Sequence, residues 1–248
     1  MSLEMVSLLL FAGFAAGTVS AIAGGSGLIT FPILLSIGLP PTAANATNFV
    51  AVLFGNISAL PAYFRELRSQ RARAVRMIVI GLSGGGIGSL LLVSSSNALF
   101  FELIPWLMVV ATVLFAVGDK ARAWIDQKDI SNLPIGYSLV FVVSIYGGYF
   151  GAGLGVVLLA TLSVIGISDF HHANALKNLT NAFIGLFGVI IYAFADLISW
   201  PHALIMVCGS TLGGFLGIKL SRWISQRWMT RAIVALGVFL SIYYFAQY

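Results

Sequence analysis

Cysteine and charged residues are both scarce in this chain of 248 residues. A single cysteine, Cys208, excludes an internal disulfide and supplies no metal-binding cluster. Charged residues make up 8% of the sequence, whereas hydrophobic residues make up 59%. A chain of this length cannot bury that much apolar surface in a soluble core. Because its apolar runs are long enough for helical spans, we predict an all-α polytopic membrane protein.

Further absences narrow the function. No acidic residue falls in the middle of an apolar stretch, which excludes the usual carboxylate proton relay of membrane pumps. The sequence has neither a P-loop nor a G-x-G-x-x-G dinucleotide fingerprint, so we expect no ATP drive and no cofactor. The N-terminus has an A-x-A pattern at residues 21–23 but lacks the cations of a signal peptide, and we expect it to be retained.

The cations are few and strongly clustered. Twelve of the thirteen Lys and Arg residues fall within residues 65–76, 120–128 and 219–231. Since Lys and Arg collect on the cytoplasmic side of membrane proteins, these clusters predict cytoplasmic loops and not a nucleic-acid-binding surface. The remaining cation, Lys177, stands alone near the start of an apolar segment.

The sequence contains two related halves, offset by 128 or 129 residues. The first half has Gly24 to Gly27, Gly38, Ala44-Asn45-Ala46, Tyr63, Gly84 and Gly88, and the second has Gly151 to Gly155, Gly166, Ala173-Asn174-Ala175, Tyr192, Gly213 and Gly217. Loop charge is not repeated: cations follow Tyr63 but not Tyr192, and the later loops show the opposite pattern. Equivalent loops should therefore lie on opposite faces of the membrane, which predicts an inverted repeat.

Each half contains one overlong apolar stretch and three ordinary spans. The spans are 5–39, 43–64, 75–95 and 99–118 in the first half, and 134–167, 173–195, 203–220 and 230–247 in the second. A single crossing needs about 20 residues, and glycines break both overlong stretches. We predict that each forms a hairpin of two short helices or a re-entrant loop. This gives ten helical segments, with membrane repeats at 1–118 and 134–248, a cytoplasmic linker at 119–133 and an external N-terminus.

The two glycine breaks form the first part of a candidate substrate site. Broken helices at matching places in inverted halves are typical of transport sites, and helix N-termini at such breaks direct N–H groups towards a ligand, which favours an anion. The alternative is helix packing alone, which we expect for the single glycines of the two later Gly-xxx-Gly spans. The candidate residues in the breaks are Gly24, Gly25, Ser26, Gly27, Gly151, Gly153 and Gly155.

A stripe of polar residues after each break forms the second part. In the second half it comprises Asn174, Lys177, Asn178 and Asn181, on one face of a helix, and in the first half Asn45, Thr47 and Asn48, with Asn56 further along. Such groups must face protein or water. They would replace the hydration of an oxyanion; the alternatives are hydrogen bonds between helices and, for Lys177, snorkelling to the cytoplasmic surface.

Two weaker motifs involve the histidines. His171 and His172 follow Asp169 and are expected in an interfacial turn, with a proton-sensitive gate as the alternative. The residues around Ser26 also fit the G-x-S-G pattern of rhomboid-type intramembrane serine proteases, which need a histidine beside the serine. All three histidines fall at segment ends, and the second break has no serine in the equivalent Gly-rich stretch, so this alternative is disfavoured.

The chain resembles the sulfite exporter TauE/SafE family, also called the toluenesulfonate uptake permease family. The likeness covers nearly the whole chain and rests on two copies of the glycine break, the Ile-Gly-Leu/Ile end of the apolar run, the Ala-rich helix start and the Gly-xxx-Gly span. The resemblance implies a secondary transporter of the bacterial inner membrane that moves sulfite, sulfonates or related anions. Its partners would be a small anion and the lipid bilayer. A carrier or channel for another anion such as a carboxylate, and a homodimeric state, stay open.

Overall fold

A computed structural model describes residues 1–22, 25–127, 135–167, 169–220 and 226–246. Within these ranges the chain forms eleven α-helices, a short 3₁₀ helix at Leu60–Tyr63 and no strand. The helices are α1 Leu3–Ile22, α2 Gly27–Ser36, α3 Pro41–Ala59, α4 Phe64–Ser69, α5 Arg71–Ser94, α6 Asn97–Gln127, α7 Ile135–Tyr149, α8 Leu154–Val164, α9 Phe170–Phe194, α10 Trp200–Leu220 and α11 Gln226–Ala246. Five helical segments in the described ranges are long and apolar enough to cross a membrane, and the prediction of an all-α polytopic membrane protein is confirmed.

Each overlong apolar stretch forms two helices that separate at the predicted glycines, α1 with α2 and α7 with α8. Gly25 and Gly153 lie at the two breaks with φ of 101° and 75°, a conformation that glycine adopts without the usual steric cost. Both helices of the second hairpin are short, as predicted, with 15 and 11 residues. In the first hairpin that prediction is wrong for α1, which has 20 residues, because no proline or charge after Glu4 ends its apolar run before Ile22.

Two other elements differ from the predicted spans. The basic loop after Tyr63 contains an additional helix, α4, of six residues. Helix α6 continues to Gln127 and is 31 residues long, so it passes through most of the stretch predicted as a linker. Alanine, arginine and lysine favour helix even when exposed, and charge alone therefore did not mark the end of this helix.

Helices of the first half pack closely against helices of the second half. Helix α1 of the first half packs on α10 of the second, and α7 of the second half packs on α5 of the first. Both contacts depend on small residues: a Cβ atom added to Gly213 would lie 2.1 Å from the carbonyl oxygen of Phe14, and one added to Gly88 would lie 2.0 Å from that of Ile145. The Gly-xxx-Gly spans thus act in helix packing, as the sequence predicts.

Helices α3 and α9, which occupy equivalent places in the two halves, cross at the centre of the bundle. They run antiparallel, since Leu53 lies against Gly185 and Phe49 lies against Tyr192, with ring centroids 5.2 Å apart. The equivalent helices α6 and α11 also pack antiparallel. The outer helices expose large apolar side chains, such as Phe11 and Phe239. The central pair is more buried than the outer helices, although Phe54 of α3 and Phe194 of α9 remain exposed. The orientation of each half in the membrane remains a prediction from loop charge.

Candidate functional site

The two glycine breaks meet in the interior of the bundle. Helix α2 begins at Gly27, and helix α8 begins at Leu154. A Cβ atom added to Gly27 would lie only 3.3 Å from the Cα atom of Ala152. The N–H group of Leu28 bonds to the carbonyl oxygen of Gly25, and that of Leu154 bonds to Gly151, but the helix dipole still leaves a partial positive charge at each helix end. Two partly positive helix ends are therefore brought side by side.

A cavity of about 40 Å³ lies at this junction, with room for two or three water molecules. Its wall includes equivalent residues from both halves, at an offset of 129: Val52 of α3 with Asn181 of α9, and Asn56 with Gly185. Because both members of each pair reach the same cavity, it lies where the two halves of the bundle face each other.

Half of the predicted site residues line this cavity. They are Gly25, Ser26 and Gly27 from the first break, Gly151 and Gly155 from the second, Asn48 from α3 and Asn181 from α9. The sequence therefore identified the two breaks and one face of each central helix. Gly24 lies outside the described residues.

The other predicted residues lie elsewhere in the core. The side-chain N–H of Asn45 donates to the carbonyl oxygen of Tyr149 at 2.9 Å. The hydroxyl of Thr47 accepts a hydrogen bond from the backbone N–H of Ser199 at 3.0 Å, on a different face of α3 from Asn48. Gly153 packs against α6. Asn174, Lys177 and Asn178 are buried on α9 but do not line the cavity wall.

Buried amides around the cavity leave hydrogen-bonding capacity unused. The hydroxyl of Ser20 donates to Asn56 Oδ1 at 2.9 Å, and the hydroxyl of Thr30 donates to Asn48 Oδ1. Asn56 Nδ2 and Asn181 Oδ1, however, have no hydrogen-bond partner in the described part of the chain. A buried polar atom without a partner costs free energy, so these two atoms are suited to water or to a ligand in the cavity.

Lys177 lies at the edge of this site and its side chain is fully buried. Its amino group donates to the backbone carbonyl of Ser20 at 3.3 Å. That carbonyl belongs to the last turn of α1, where carbonyl groups lack partners within the helix and carry partial negative charge. The side chain does not reach the aqueous surface, so the snorkelling alternative is not what the structure shows.

The next residue along α9, Asn178, has no exposed surface, and neither its side-chain oxygen nor its side-chain nitrogen has a partner among the described residues. It follows Lys177 directly and precedes Asn181 by three positions, so the stripe on α9 runs from the Lys177 amine towards the cavity. Unused donors and acceptors therefore continue beyond the cavity wall.

Several residues of the cavity wall were not among the predicted site residues. Asn56 lies two helical turns after Asn48 and continues the polar stripe that the sequence indicates, but it was not one of the candidate site residues. Ser20 carries no such signal, because it reaches the site only through the contact of α1 with α3 and α9. Phe49 and Phe150 complete the wall with aromatic rings.

The histidines lie apart from this site. His172 Nδ1 is 2.8 Å from Asp169 Oδ1, and its Nε2 is 3.0 Å from the hydroxyl of Ser69. The backbone N–H of His172 bonds to Asp169 and, with the imidazole ring, lowers the pKa of that carboxyl group. His202 bonds to Ser199. These contacts fit an interfacial turn, and in the described residues no histidine bonds to the serine of the first break.

The sequence matches known proteins along most of its length. The family model for the sulfite exporter TauE/SafE matches residues 9–244. A probable membrane transporter protein of Haemophilus influenzae is 31% identical over 220 residues, which are 88% of this chain and 86% of that protein. The probable membrane transporter protein YfcA of Escherichia coli K12 is 26% identical over 238 residues, which are 96% and 88% of the two chains. No solved structure matches the chain.

Proposed function

This chain is a membrane transporter of the sulfite exporter TauE/SafE family, and we propose that it is a secondary carrier of a small sulfur-containing anion. Sulfite and sulfonates are the candidate substrates, carried across the bacterial inner membrane by alternating access. The family supplies the sulfur chemistry, and the charge of the substrate is argued from the site itself.

The observation that carries the proposal is that two helix N-termini meet at one cavity, with a buried lysine nearby. The N-termini of α2 and α8 meet there, and helix N-termini bind anions. Lys177 adds a buried amino group on the neighbouring helix, and no carboxylate lies within ion-pair distance of it in the described part of the chain. A cation buried in this way is destabilising unless an anion compensates it.

The polar groups at the junction suit a small oxyanion. The Asn56 side-chain nitrogen in the cavity wall is a donor without a partner among the described residues. The Lys177 amine lies just outside the wall, on the Ser20 carbonyl, and charge-assisted hydrogen bonds from an ammonium to an anion are strong. The cavity of about 40 Å³ holds only two or three waters. A sulfite ion therefore needs the hairpins to move apart, which agrees with a carrier more than with an open channel.

The two hairpins differ in how they pack, and this difference supports alternating access. Helix α8 lies close against α6, where a Cβ atom added to Gly153 would be 3.1 Å from the carbonyl oxygen of Ala111. The equivalent pair, α2 and α11, is separated by an apolar groove of about 890 Å³ between residues such as Pro32 and Phe239. If the halves exchange these two arrangements, the junction opens first to one face and then to the other.

Flux in proteoliposomes tests the proposal directly. We expect saturable uptake of at least one of sulfite, thiosulfate and sulfoacetate, with acetate as a poor competitor and empty liposomes as the control. Preference for acetate would favour the carboxylate alternative. Flux that rises linearly with concentration would favour a channel.

The proposed orientation has a separate test. Single cysteines at Ser69 and Ser199, in a Cys208→Ser background, should react with an impermeant maleimide from opposite faces of the membrane. Cys208 must be removed first because it is exposed. Labelling of both positions from the same side would exclude the inverted arrangement and the external N-terminus.

A further inference from the structure

Among the described residues, no neighbouring helix supplies an ion-pair partner for Lys177. Helices α3 and α8 have no ionisable residue, α7 carries only tyrosines, and α1 has only Glu4 near its far end. Around the end of α9 that carries Lys177 lie Tyr63, the charged residues Arg65, Glu66 and Arg68 of α4, and the arginines of α5, of which Arg76 bonds to Tyr137. None of these groups bonds to Lys177.

Two other titratable groups of α9, His172 and Tyr192, bond elsewhere. His172 is held by Asp169 and Ser69 at the surface. Tyr192, two thirds of the helix away, donates to the carbonyl oxygen of Gly148. In the described part of the chain, Lys177 is thus the only lysine, arginine, aspartate or glutamate side chain with no exposed surface.

The contact that Lys177 makes is one that transporters with broken helices use for a coupling cation. In such proteins the carbonyls at the end of a half-helix bind Na⁺ or take part in proton coupling. Here the amino group of Lys177 occupies that place at the end of α1, on the Ser20 carbonyl. The equivalent residue of the first half, at an offset of 129, is Asn48, which is neutral and bonded to Thr30. A side chain that can gain and lose a proton therefore exists at this position in one half only.

We propose that Lys177 is the proton-coupling group of the carrier, so that one proton and one anion cross together and no sodium ion is needed. This inference rests on the proposed anion transport. On the side of entry, the neutral amine takes a proton from water and the anion binds the resulting ammonium. On the other side the anion leaves, and the ammonium returns its proton to water.

The return step explains why the two ions are linked. An empty carrier with a protonated Lys177 would hold a buried charge without a counter-ion, which is costly in the membrane interior. A neutral amine can still donate to the Ser20 carbonyl, so the empty carrier can reorient with the contact seen in the structure. The protonated carrier crosses only when the anion is bound, which makes the protein a symporter.

Replacing Lys177 by arginine separates anion binding from proton release, because a guanidinium stays protonated in proteins. Two measurements are made in sodium-free proteoliposomes: exchange of labelled against unlabelled sulfite, and net uptake driven by an acidic exterior. We expect the wild type to do both. Lys177→Arg should keep exchange within about tenfold of the wild type but lose gradient-driven accumulation. The exposed Lys120→Arg is the matched control and should keep both.

A second variant covers the case in which arginine does not fit. Lys177→Met has a side chain of similar length without charge, and proton movement is followed with a pH-sensitive dye inside the vesicles. We expect about one proton per anion in the wild type and none in Lys177→Met. Accumulation driven by the pH gradient in either variant, or by a sodium gradient in the wild type, would overturn the coupling role. Absence of any saturable anion exchange in the wild type would instead refute the proposed transport function.

Discussion

Gly88 of α5 offers a direct test of the packing that positions the second hairpin. A methyl group at this position would lie 2.0 Å from the carbonyl oxygen of Ile145 and 2.7 Å from the backbone nitrogen of Tyr149. Ordinary contacts of a Cβ atom are 3.4–4 Å. The contact with the Ile145 oxygen would be shorter than this by more than about 1 Å, so α5 and α7 must separate by about that distance. Both obstacles are backbone atoms and cannot rotate away. Overpacking of this kind costs about 1–3 kcal/mol.

The matched control is Gly86→Ala, on the same helix. Its added methyl group meets only the ring of Phe187, at 2.6 Å, and that half-exposed ring can move. Both variants gain the same helix propensity, about 1 kcal/mol, so the difference between their thermal midpoints in one detergent isolates the backbone clash. With about 2–4 °C per kcal/mol for a chain of this size, Gly88→Ala should melt several degrees below Gly86→Ala. Equal midpoints would show that α5 and α7 do not pack as closely as described.

Three further substitutions test the site and its surroundings. Gly185→Ala places a methyl group in the cavity wall with only ordinary contacts around it, so anion flux should fall while the melting point stays within a few degrees of the wild type; unchanged flux would argue against the cavity as the site. Thr47→Val removes the acceptor for the Ser199 N–H. The free energy of unfolding should fall by about 1 kcal/mol or more, while the KM for the anion stays unchanged. A raised KM would place Thr47 in the site. The pKa of Asp169 is lowered mainly by the backbone N–H of His172, so the carboxylate stabilises the fold fully above the ordinary carboxyl pKa. This stabilisation is lost as the pH falls through the lowered pKa value. Melting curves of Asp169→Asn should lack that loss at acidic pH, and a pH profile identical to the wild type would refute this role of Asp169.

The general architecture could be predicted from the sequence because its main signals are local. Apolar runs of about 20 residues and glycine pairs inside them mark helices and breaks whatever the packing around them. Apart from the length of α1, the incorrect predictions concerned charged stretches. Helix α4 and the end of α6 at Gln127 lie in basic segments, where solvated loops and exposed helices have the same composition.

The site was harder to predict because it depends on contacts between distant helices. The polar stripe on α9 was placed correctly inside the protein, but the stripe is longer than the cavity, and only Asn181 reaches the wall. Thr47 was included because it lies beside Asn48, although neighbouring residues on a helix face directions about 100° apart. The partner of Lys177 is a backbone carbonyl 157 positions earlier in the chain, and no side-chain pattern in the sequence could reveal it.

The pairs of equivalent residues at the cavity argue for a single composite site. Val52 and Asn181 are equivalent, as are Asn56 and Gly185, and all four reach the same cavity. In each pair only one member has a polar side chain, so the two asparagines come from different halves. The cavity lies between two equivalent halves, but the halves supply its polar side chains from different positions. It therefore does not offer two equivalent places for two ligands. If this cavity is the substrate site, it is suited to one ligand in one orientation, with the glycine and valine positions leaving space opposite the two asparagines.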